Sequence, residues 1–228
     1  MKQKQMSESL FIVILLALSG GFMDAYSYLY RGHVFANAQT GNILLMGIYI
    51  AKGSYINALQ YAFPVFAFTV GIAIADFTRL KLKEKKGLHW RQLTIFLEAI
   101  VLLFVSFLPQ SENLLANSMT SFACGIQVET FRKINGYGIA TTMCIGNLRT
   151  ATQSLMEFFH SHKKEEGKKG LLFYGVILFF VLGAILGNFS VEIWQERAII
   201  VCDLFLLFGF LLMFLDLEKE RNGLVKDL

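Results

Sequence analysis

Residues that could carry chemistry in this 228-residue chain are concentrated in two short regions of otherwise apolar sequence. In the first region Asp24, Tyr28 and Arg31 follow one another at intervals of four and three residues, which places them on one helical face. In the second region Glu129 and Arg132 are three residues apart. An acid and an arginine in each region could form a gate or bind a zwitterion. The alternative is an internal ion pair, or an arginine that reaches the headgroup layer.

Two Gly-Asn pairs follow these regions and precede apolar helical stretches: Gly41-Asn42 and Gly146-Asn147. Backbone N–H groups at the start of such a helix form a positive end that suits an anion. Alternatively, Asn42 and Asn147 simply cap their helices. The substrate-binding residues predicted from the sequence are Asp24, Tyr28, Arg31, Gln39, Thr40, Gly41, Asn42, Gln127, Glu129, Arg132, Gly146 and Asn147.

Two acids, Glu98 and Asp203, lie within apolar stretches, where ionisable groups are costly and commonly functional. Their position predicts that they carry protons for coupled transport. Alternatively, they anchor the bundle through hydrogen bonds between helices. We find neither a nucleophile motif nor a metal motif such as a helical His-Glu-x-x-His. The sequence therefore predicts no catalytic residue, no metal ion and no cofactor. The cysteines, at spacings that match no metal site or disulfide framework, are Cys124, Cys144 and Cys202.

The elements that must position these residues are membrane-spanning helices. The chain is 55% hydrophobic and 17% charged, with 22 Phe and a mean hydropathy of +0.52. A soluble domain of this size could not bury so much apolar surface. A crossing needs roughly 20 apolar residues. Stretches that approach or exceed this length are Leu10–Tyr30, Leu59–Ile74, Leu93–Leu108, Leu171–Phe189 and Ala198–Leu215. A cleavable signal peptide is disfavoured because the first stretch continues past its small residues to Tyr30.

Basic residues indicate which connections face the cytoplasm. Lysines and arginines cluster at 79–91 and 163–169, and also occur at Lys2, Lys4 and the tail from 218 to 228. Short basic connections stay inside, so both clusters and both termini are predicted to be cytoplasmic. The remaining connections are nearly bare of Lys and Arg. Because the basic residues follow the loops, nucleic-acid binding is not expected.

This charge distribution constrains the number of crossings. Between two cytoplasmic segments the first part of the chain must cross an even number of times, yet it has three apolar blocks, at 10–30, 38–51 and 59–78. The same parity applies to the two blocks within 113–159. Each half is therefore expected to begin with a broken or re-entrant helix, in which the Gly20–Gly21 pair could open the backbone. The alternative of eight plain spans would put one basic loop outside.

The two unusual regions resemble each other. Gly21 and Gly32 are 11 residues apart, as are Gly125 and Gly136, and a Gly-Asn pair follows each. Later elements repeat in the same order: Phe68-x-x-Gly71 parallels Phe180-x-x-Gly183, and Glu98 parallels Asp203. We therefore predict an all-α integral membrane protein, a single domain over 1–228. It has about six net crossings in two inverted three-crossing halves at about 10–109 and 113–217, followed by a cytoplasmic tail.

Specific residues of these regions also resemble a known family. Gly21-x-x-Asp24-Ala25, Phe35, Gln39 to Asn42, Gly125-Ile126-Gln127 and Gly146-Asn147 are similar to the YoaK-like family of bacterial membrane proteins, over about residues 10–215. The resemblance implies about six helices, a bacterial plasma membrane and no established substrate. One departure is that Ile145 stands in the second copy where the first has Thr40.

Inverted repeats with paired polar breaks favour a small secondary transporter or permease for a polar solute, anionic or zwitterionic. One alternative is an intramembrane enzyme for a lipid-linked substrate that uses Asp24 and His33. Another is a scaffold or regulator whose basic loops contact anionic lipids. The expected partners are the lipid bilayer and a small molecule, and the sequence leaves a homo-oligomer open.

Overall fold

The computed structural model describes residues 9–82, 90–134 and 136–226, and most of them are helical. The α-helices are α1 Leu10–Tyr30, α2 Gln39–Ala51, α3 Tyr55–Leu82, α4 Trp90–Val105, α5 Asn113–Thr130, α6 Cys144–Ser161, α7 Lys164–Trp194 and α8 Ile200–Lys226. Short 3-10 helices at Gln110–Glu112 and Gln195–Ile199 precede α5 and α8, and β1 Lys133–Ile134 pairs with β2 Tyr137–Gly138 in an antiparallel hairpin. The predicted basic residues at 2, 4 and 83–86 lie outside the described residues.

Three helical stretches are long and apolar enough to cross a membrane: α1, α3 and the 51-residue run Lys164–Phe214, which contains α7 and most of α8. By contrast, α2 has 13 residues and, at 1.5 Å per residue, reaches only about 20 Å of a hydrocarbon core about 30 Å thick. Large apolar side chains such as Phe66, Leu178 and Leu211 are exposed on the outer faces of α3, α7 and α8. Such a surface suits a hydrocarbon environment better than water.

Helix α1 is unbroken from Leu10 to Tyr30, so the expectation that the Gly20–Gly21 pair opens the backbone is wrong. Both glycines are buried inside the helix. The interruption comes later, at residues 31–38, where Gly32 and His33 adopt positive φ. These left-handed conformations reverse the chain direction at the end of α1.

After the reversal the chain runs back along α1 as an irregular, non-helical segment. Ala36 N donates to Ser27 Oγ (3.1 Å), Asn37 N donates to Asp24 Oδ1 (2.8 Å), and Asn37 Nδ2 donates to Gly20 O (2.8 Å). The acceptors recede from Ser27 to Gly20, towards the start of α1, so the segment follows about two helical turns. Helix α2 therefore begins beside the middle of α1.

The segment between α5 and α6 reaches the same level of α1. The Thr141 and Thr142 backbone packs against Gly20, where a Cβ atom would stand only 2.9 Å from Thr141 O. Gln127 Nε2 donates to Thr141 Oγ1 (3.1 Å), which joins this segment to α5. Consequently both interrupted segments end, and both following helices begin, near the midpoint of α1.

Glycines allow two helix pairs to touch backbone to backbone. A Cβ atom on Gly21 of α1 would overlap the Phe180 carbonyl of α7, and one on Gly125 of α5 would overlap the Phe68 carbonyl of α3. The largest helix interfaces in the described residues are accordingly α1 with α7 and α3 with α5. Small residues at helix crossings permit this approach in membrane proteins. Around these pairs, α2 packs on α3, α6 on α7, and α4 and α8 on each other.

The connections fall at two ends of the helix bundle. At the carboxyl end of α1, Gln110 Nε2 donates to Tyr30 O (3.3 Å), and Tyr30 Oη donates to Glu196 Oε2 (2.6 Å). The α4–α5 and α7–α8 connections thus share the end where α1 stops. At the other end, Arg79 of α3 lies 3.9 Å from Glu129 of α5.

The close helix contacts lead to a prediction about glycine substitution. Gly21→Ala and Gly71→Ala should each lower the free energy of unfolding by about 1–3 kcal/mol, since a methyl group would meet the neighbouring carbonyl. Thermal unfolding in detergent measures the effect. Gly175→Ala is the matched control, because a methyl group on this residue of α7 would have no neighbouring atom within 4 Å. Equal stability of all three variants would contradict the backbone contact.

Candidate functional site

A cavity of about 560 Å³ lies where the two interrupted segments meet. Its walls come from α1, the starts of α2 and α6, and one residue each from α3 and α7. The lining residues are Asp24, Ala25, Tyr28, Phe35, Asn37, Ala38, Gln39, Thr40, Phe68, Thr142, Met143, Cys144, Ile145 and Phe180. Four of the predicted site residues therefore line it: Asp24, Tyr28, Gln39 and Thr40.

Asp24 supplies the only acidic or basic side chain among the described residues that line the cavity. Two of the lining residues also have a polar side-chain atom that is buried without a hydrogen-bond partner: Asn37 Oδ1, an acceptor, and Thr142 Oγ1, which can donate. These two residues are almost completely buried, with exposed fractions of 1% and 2%. Unpaired buried polar atoms carry a desolvation cost that a bound ligand or water would relieve.

Aromatic side chains make the rest of the cavity wall apolar. Tyr28 stacks on Phe35 with ring centroids 5.0 Å apart and also contacts His33 edge-on. Phe68 and Phe180 correspond to each other in the repeat and come from the helix contacts made by Gly125 and Gly21. The cavity thus combines a few polar groups with a mainly apolar surface, as ligand sites commonly do.

The two asparagines that follow the interrupted segments hold them in the same way. Asn42 Oδ1 accepts from Phe35 N (3.1 Å) while its Nδ2 donates to Phe35 O (2.7 Å). Asn147 makes the same pair of bonds with Ala140, which also lies seven residues earlier. Neither asparagine is the N-cap residue of its helix, so the expected capping role is wrong. Each asparagine instead holds the backbone of the segment that precedes its helix.

The starts of α2 and α6 both face the cavity, through 38–40 and 143–145. Neither N-cap residue, Ala38 or Met143, has a side-chain capping bond. The predicted residues Gly41 and Gly146 sit in the first turns but do not line the cavity, and Gly41 packs against Phe35. Two positive helix ends therefore point into one space.

Arg31 lies outside the cavity and is only 1% exposed. Its Nε and Nη2 donate to Tyr26 Oη (2.8 and 2.7 Å), Nη2 donates to Leu108 O (2.8 Å), and Nη1 donates to Pro109 O (3.1 Å). The helical-face argument grouped it with Asp24, but α1 ends at Tyr30 and Arg31 has left the helical conformation. The guanidinium ties α1 to the α4–α5 connection.

A glutamate joins the same end of the bundle. Tyr26 Oη donates to the Glu196 carbonyl (2.9 Å), and the hydroxyl of Tyr30 bonds the Glu196 carboxylate. That second hydrogen bond is the main reason that the pKa of Glu196 lies below its ordinary value. Arginine, two tyrosines and the glutamate therefore link three segments of the chain at this end.

Glu129 and Arg132 also lie outside the cavity. They form an ion pair (3.0 Å), and Glu129 lies 3.9 Å from Arg79, which itself pairs with Asp76. This cluster joins the ends of α3 and α5. The structure therefore separates both predicted arginines from the cavity and gives them structural partners.

Gln127, Glu98 and Asp203 occupy the interior between the helices. Gln127 is fully buried and bonds Leu16 O (2.9 Å) and Ser19 Oγ (3.4 Å) in addition to Thr141. Glu98 and Asp203 are 0% and 4% exposed and come from α4 and α8, which pack on each other. In the part of the chain that the structure describes, no group of three His, Cys, Asp or Glu could hold a metal ion.

Sequence reasoning missed Asn37, Thr142, Phe68 and Phe180. The first two lie in segments without periodicity, where a pattern gives no direction for a side chain. The two phenylalanines were visible only as members of the repeat.

These features describe a helical membrane protein with an internal cavity between two interrupted segments. The chain belongs to the family described as "Protein of unknown function (DUF1275)", whose sequence profile matches residues 12–212. It is similar to the UPF0700 transmembrane protein YoaK of Bacillus subtilis (strain 168), with 27% identity over 184 residues that cover 77% of this chain and 80% of YoaK. No solved structure matches. The expected resemblance and the membrane location are thereby confirmed.

The Arg31 bonds predict a strong effect of a conservative substitution. Arg31→Lys should destabilise the protein by about 2 kcal/mol or more, because an ammonium cannot replace the forked donors and leaves buried carbonyls unpaired. Arg132→Lys is the control; that side chain is 50% exposed, and its loss should cost about 0.5 kcal/mol or less. Chemical or thermal unfolding in detergent gives both values, and similar losses would rule out a special role for Arg31.

Proposed function

We propose that this protein is a secondary transporter for a small zwitterionic solute, which binds in the cavity between the two interrupted segments. The observation that carries the proposal is a cavity lined by two helix starts, a carboxylate and two residues that each have an unpaired buried polar atom. Discontinuous helices that meet near the bilayer midplane form the substrate sites of many transporters.

The proposed topology has six crossings, made by α1, α3, α4, α5, α7 and α8. Helices α2 and α6, each with its preceding segment, are re-entrant and enter from opposite sides. Supporting this, the segment before α2 returns from the end of α1, whereas the segment before α6 returns from the end of α5. The end that holds Glu196 and Gln110 is then outside, and the basic connections and both termini are cytoplasmic.

Inverted symmetry of the two halves is supported by the contacts. If α1 to α4 correspond to α5 to α8, the α1–α7 interface has its counterpart in α3–α5, and α2–α3 has its counterpart in α6–α7. The interface of α4 with α5 corresponds to that of α8 with α1. The clamps made by Asn42 and Asn147 are counterparts as well. Each pair is what a two-fold axis in the membrane plane would produce.

The polar groups of the cavity suit a zwitterion better than a simple anion. Asp24 and the unpaired Asn37 Oδ1 can accept hydrogen bonds from an ammonium group. Thr142 Oγ1 and the start of α6 can donate to a carboxylate. A purely anionic solute would lack a cationic side chain, since no Lys or Arg of the described residues lines the cavity.

Opposite ends of the bundle supply the contacts that would open and close access. Arg31 and its tyrosine partners join segments at one end, and the Asp76, Arg79, Glu129 and Arg132 cluster joins α3 to α5 at the other. Polar contacts of this kind can exchange for water when an end opens. Access could then alternate by a relative movement of the two halves.

The topology predicts a labelling pattern. In a cysteine-free background, single cysteines at Lys52, Glu112 and Glu196 should react with a membrane-impermeant maleimide added to intact cells. Cysteines at Lys85 and Lys164 should react only after the membrane is opened. Labelling of Lys85 and Lys164 from different sides would eliminate the re-entrant arrangement and leave eight plain spans.

The substrate class can be tested by a thermal-shift screen of the purified protein. We expect amino acids and related zwitterions to raise the unfolding temperature, and matched anions, amines and sugars to have little effect. Asp24→Asn and Thr142→Val should weaken binding of an active compound by about tenfold each, as expected for the loss of one buried polar contact. Glu192→Gln, on the exposed face of α7, should leave binding unchanged. Stabilisation by no zwitterion, with no uptake into proteoliposomes, would refute the proposal.

A further inference from the structure

Two carboxyl groups in the interior have no role in the cavity itself. Glu98 on α4 and Asp203 on α8 are 0% and 4% exposed. All four of their carboxyl oxygens are buried without a hydrogen-bond partner among the residues that the structure describes. They occupy equivalent positions in the sequence repeat, and their helices pack on each other.

Among the described residues, no basic side chain is hydrogen-bonded to these acids. None of the four carboxyl oxygens has a hydrogen-bond donor, basic or neutral, among the described residues. Two buried thiols, of Cys124 on α5 and Cys202 on α8, lie in the same part of the interior, and Cys202 adjoins Asp203 in the chain. At the ends of the neighbouring elements, Arg79 of α3 is paired with Asp76, and Glu196 is bonded to Tyr30.

Two ionised carboxylates side by side in such a place would be very unfavourable. Burial penalises each charge, and the like charges repel each other. The charge must therefore be removed by a bound cation. A sodium ion would need several oxygen ligands, and the only unpaired oxygens on these two residues are the four of the carboxyl groups. A proton needs only one carboxyl oxygen.

The pair is connected to the cavity through α1. Cys202, next to Asp203 in the chain, lies 2.9 Å from Ser19 Oγ, and Ser19 Oγ donates to Gln127 Oε1 (3.4 Å). Gln127 in turn bonds Thr141, which adjoins the cavity residue Thr142. A change in the spacing of α4 and α8 would thus shift Ser19 and Gln127, which position Thr141 beside the cavity.

We infer that Glu98 and Asp203 form a proton-binding site, and that the movement of the solute is coupled to the movement of H⁺ through this pair. The inference rests on the transport function proposed above. The pair holds at least one proton in the present conformation, in which both carboxyl groups are closed off from water. Release of the proton requires the other conformation, in which α4 and α8 admit water.

Infrared spectroscopy of the protein in lipid nanodiscs tests proton binding without any solute. The C=O stretch of a protonated carboxyl, identified by its shift in D₂O, should be present at neutral pH. It should weaken in Glu98→Gln and in Asp203→Asn and disappear in the double variant. Glu192→Gln, which changes an exposed glutamate, should retain the full band. If a variant does not fold, the wild-type spectrum alone decides, because absence of the band would overturn the inference.

Proteoliposomes that contain a pH-sensitive dye test the coupling. A zwitterion that stabilises the protein should change the internal pH on uptake, and the double variant should bind it but give no change in pH. In the infrared experiment, loss of the C=O band on addition of Na⁺ would show that the pair binds sodium, and this would overturn the inference. If the band behaves as expected but no solute is carried, the proposed function fails and the coupling with it, while the proton site remains. A silent dye during measurable uptake would refute the coupling alone.

Discussion

Non-helical backbone inside a hydrocarbon environment must find every hydrogen-bond partner within the protein, and this requirement governs the structure. In the proposed topology, residues 34–37 and 139–142 are such backbone. Side chains supply partners for several of their groups: Ser27 and Asp24 for the first segment, and one asparagine clamp for each. Each interruption therefore lies where the preceding and following helices supply polar groups, which is also where the cavity forms.

Glycine contacts explain how the bundle accommodates these segments. Because α1 contacts α7 and α5 contacts α3 backbone to backbone, the helices of each pair lie unusually close together. Space is left between the two pairs for the returning segments and for the cavity. Gly20 contributes to both requirements, since it receives Asn37 Nδ2 on its carbonyl and leaves room for Thr141 and Thr142.

Several of these features could be predicted from the sequence, and the predictions that were wrong have physical causes. The hydrophobic blocks at 10–30 and 38–51 match α1 and α2 almost residue for residue, since long apolar periodic segments are the clearest signal in a sequence. Four cavity residues were predicted because they are polar within apolar stretches. The Gly20–Gly21 pair was misread, because a glycine that allows close packing looks the same in a sequence as one that allows a break. Arg31 was misplaced because the helical period ends one residue before it.

The cavity is not symmetric even though the contacts around it come in matched pairs. When Gly21 is aligned with Gly125, the counterpart of Asp24 is Val128, so one copy keeps an acid and the other an aliphatic side chain. If the two walls were identical, a dipolar solute could bind in two opposite orientations with equal affinity. A single carboxylate removes that degeneracy, so in the proposed transporter a dipolar solute would bind in one orientation.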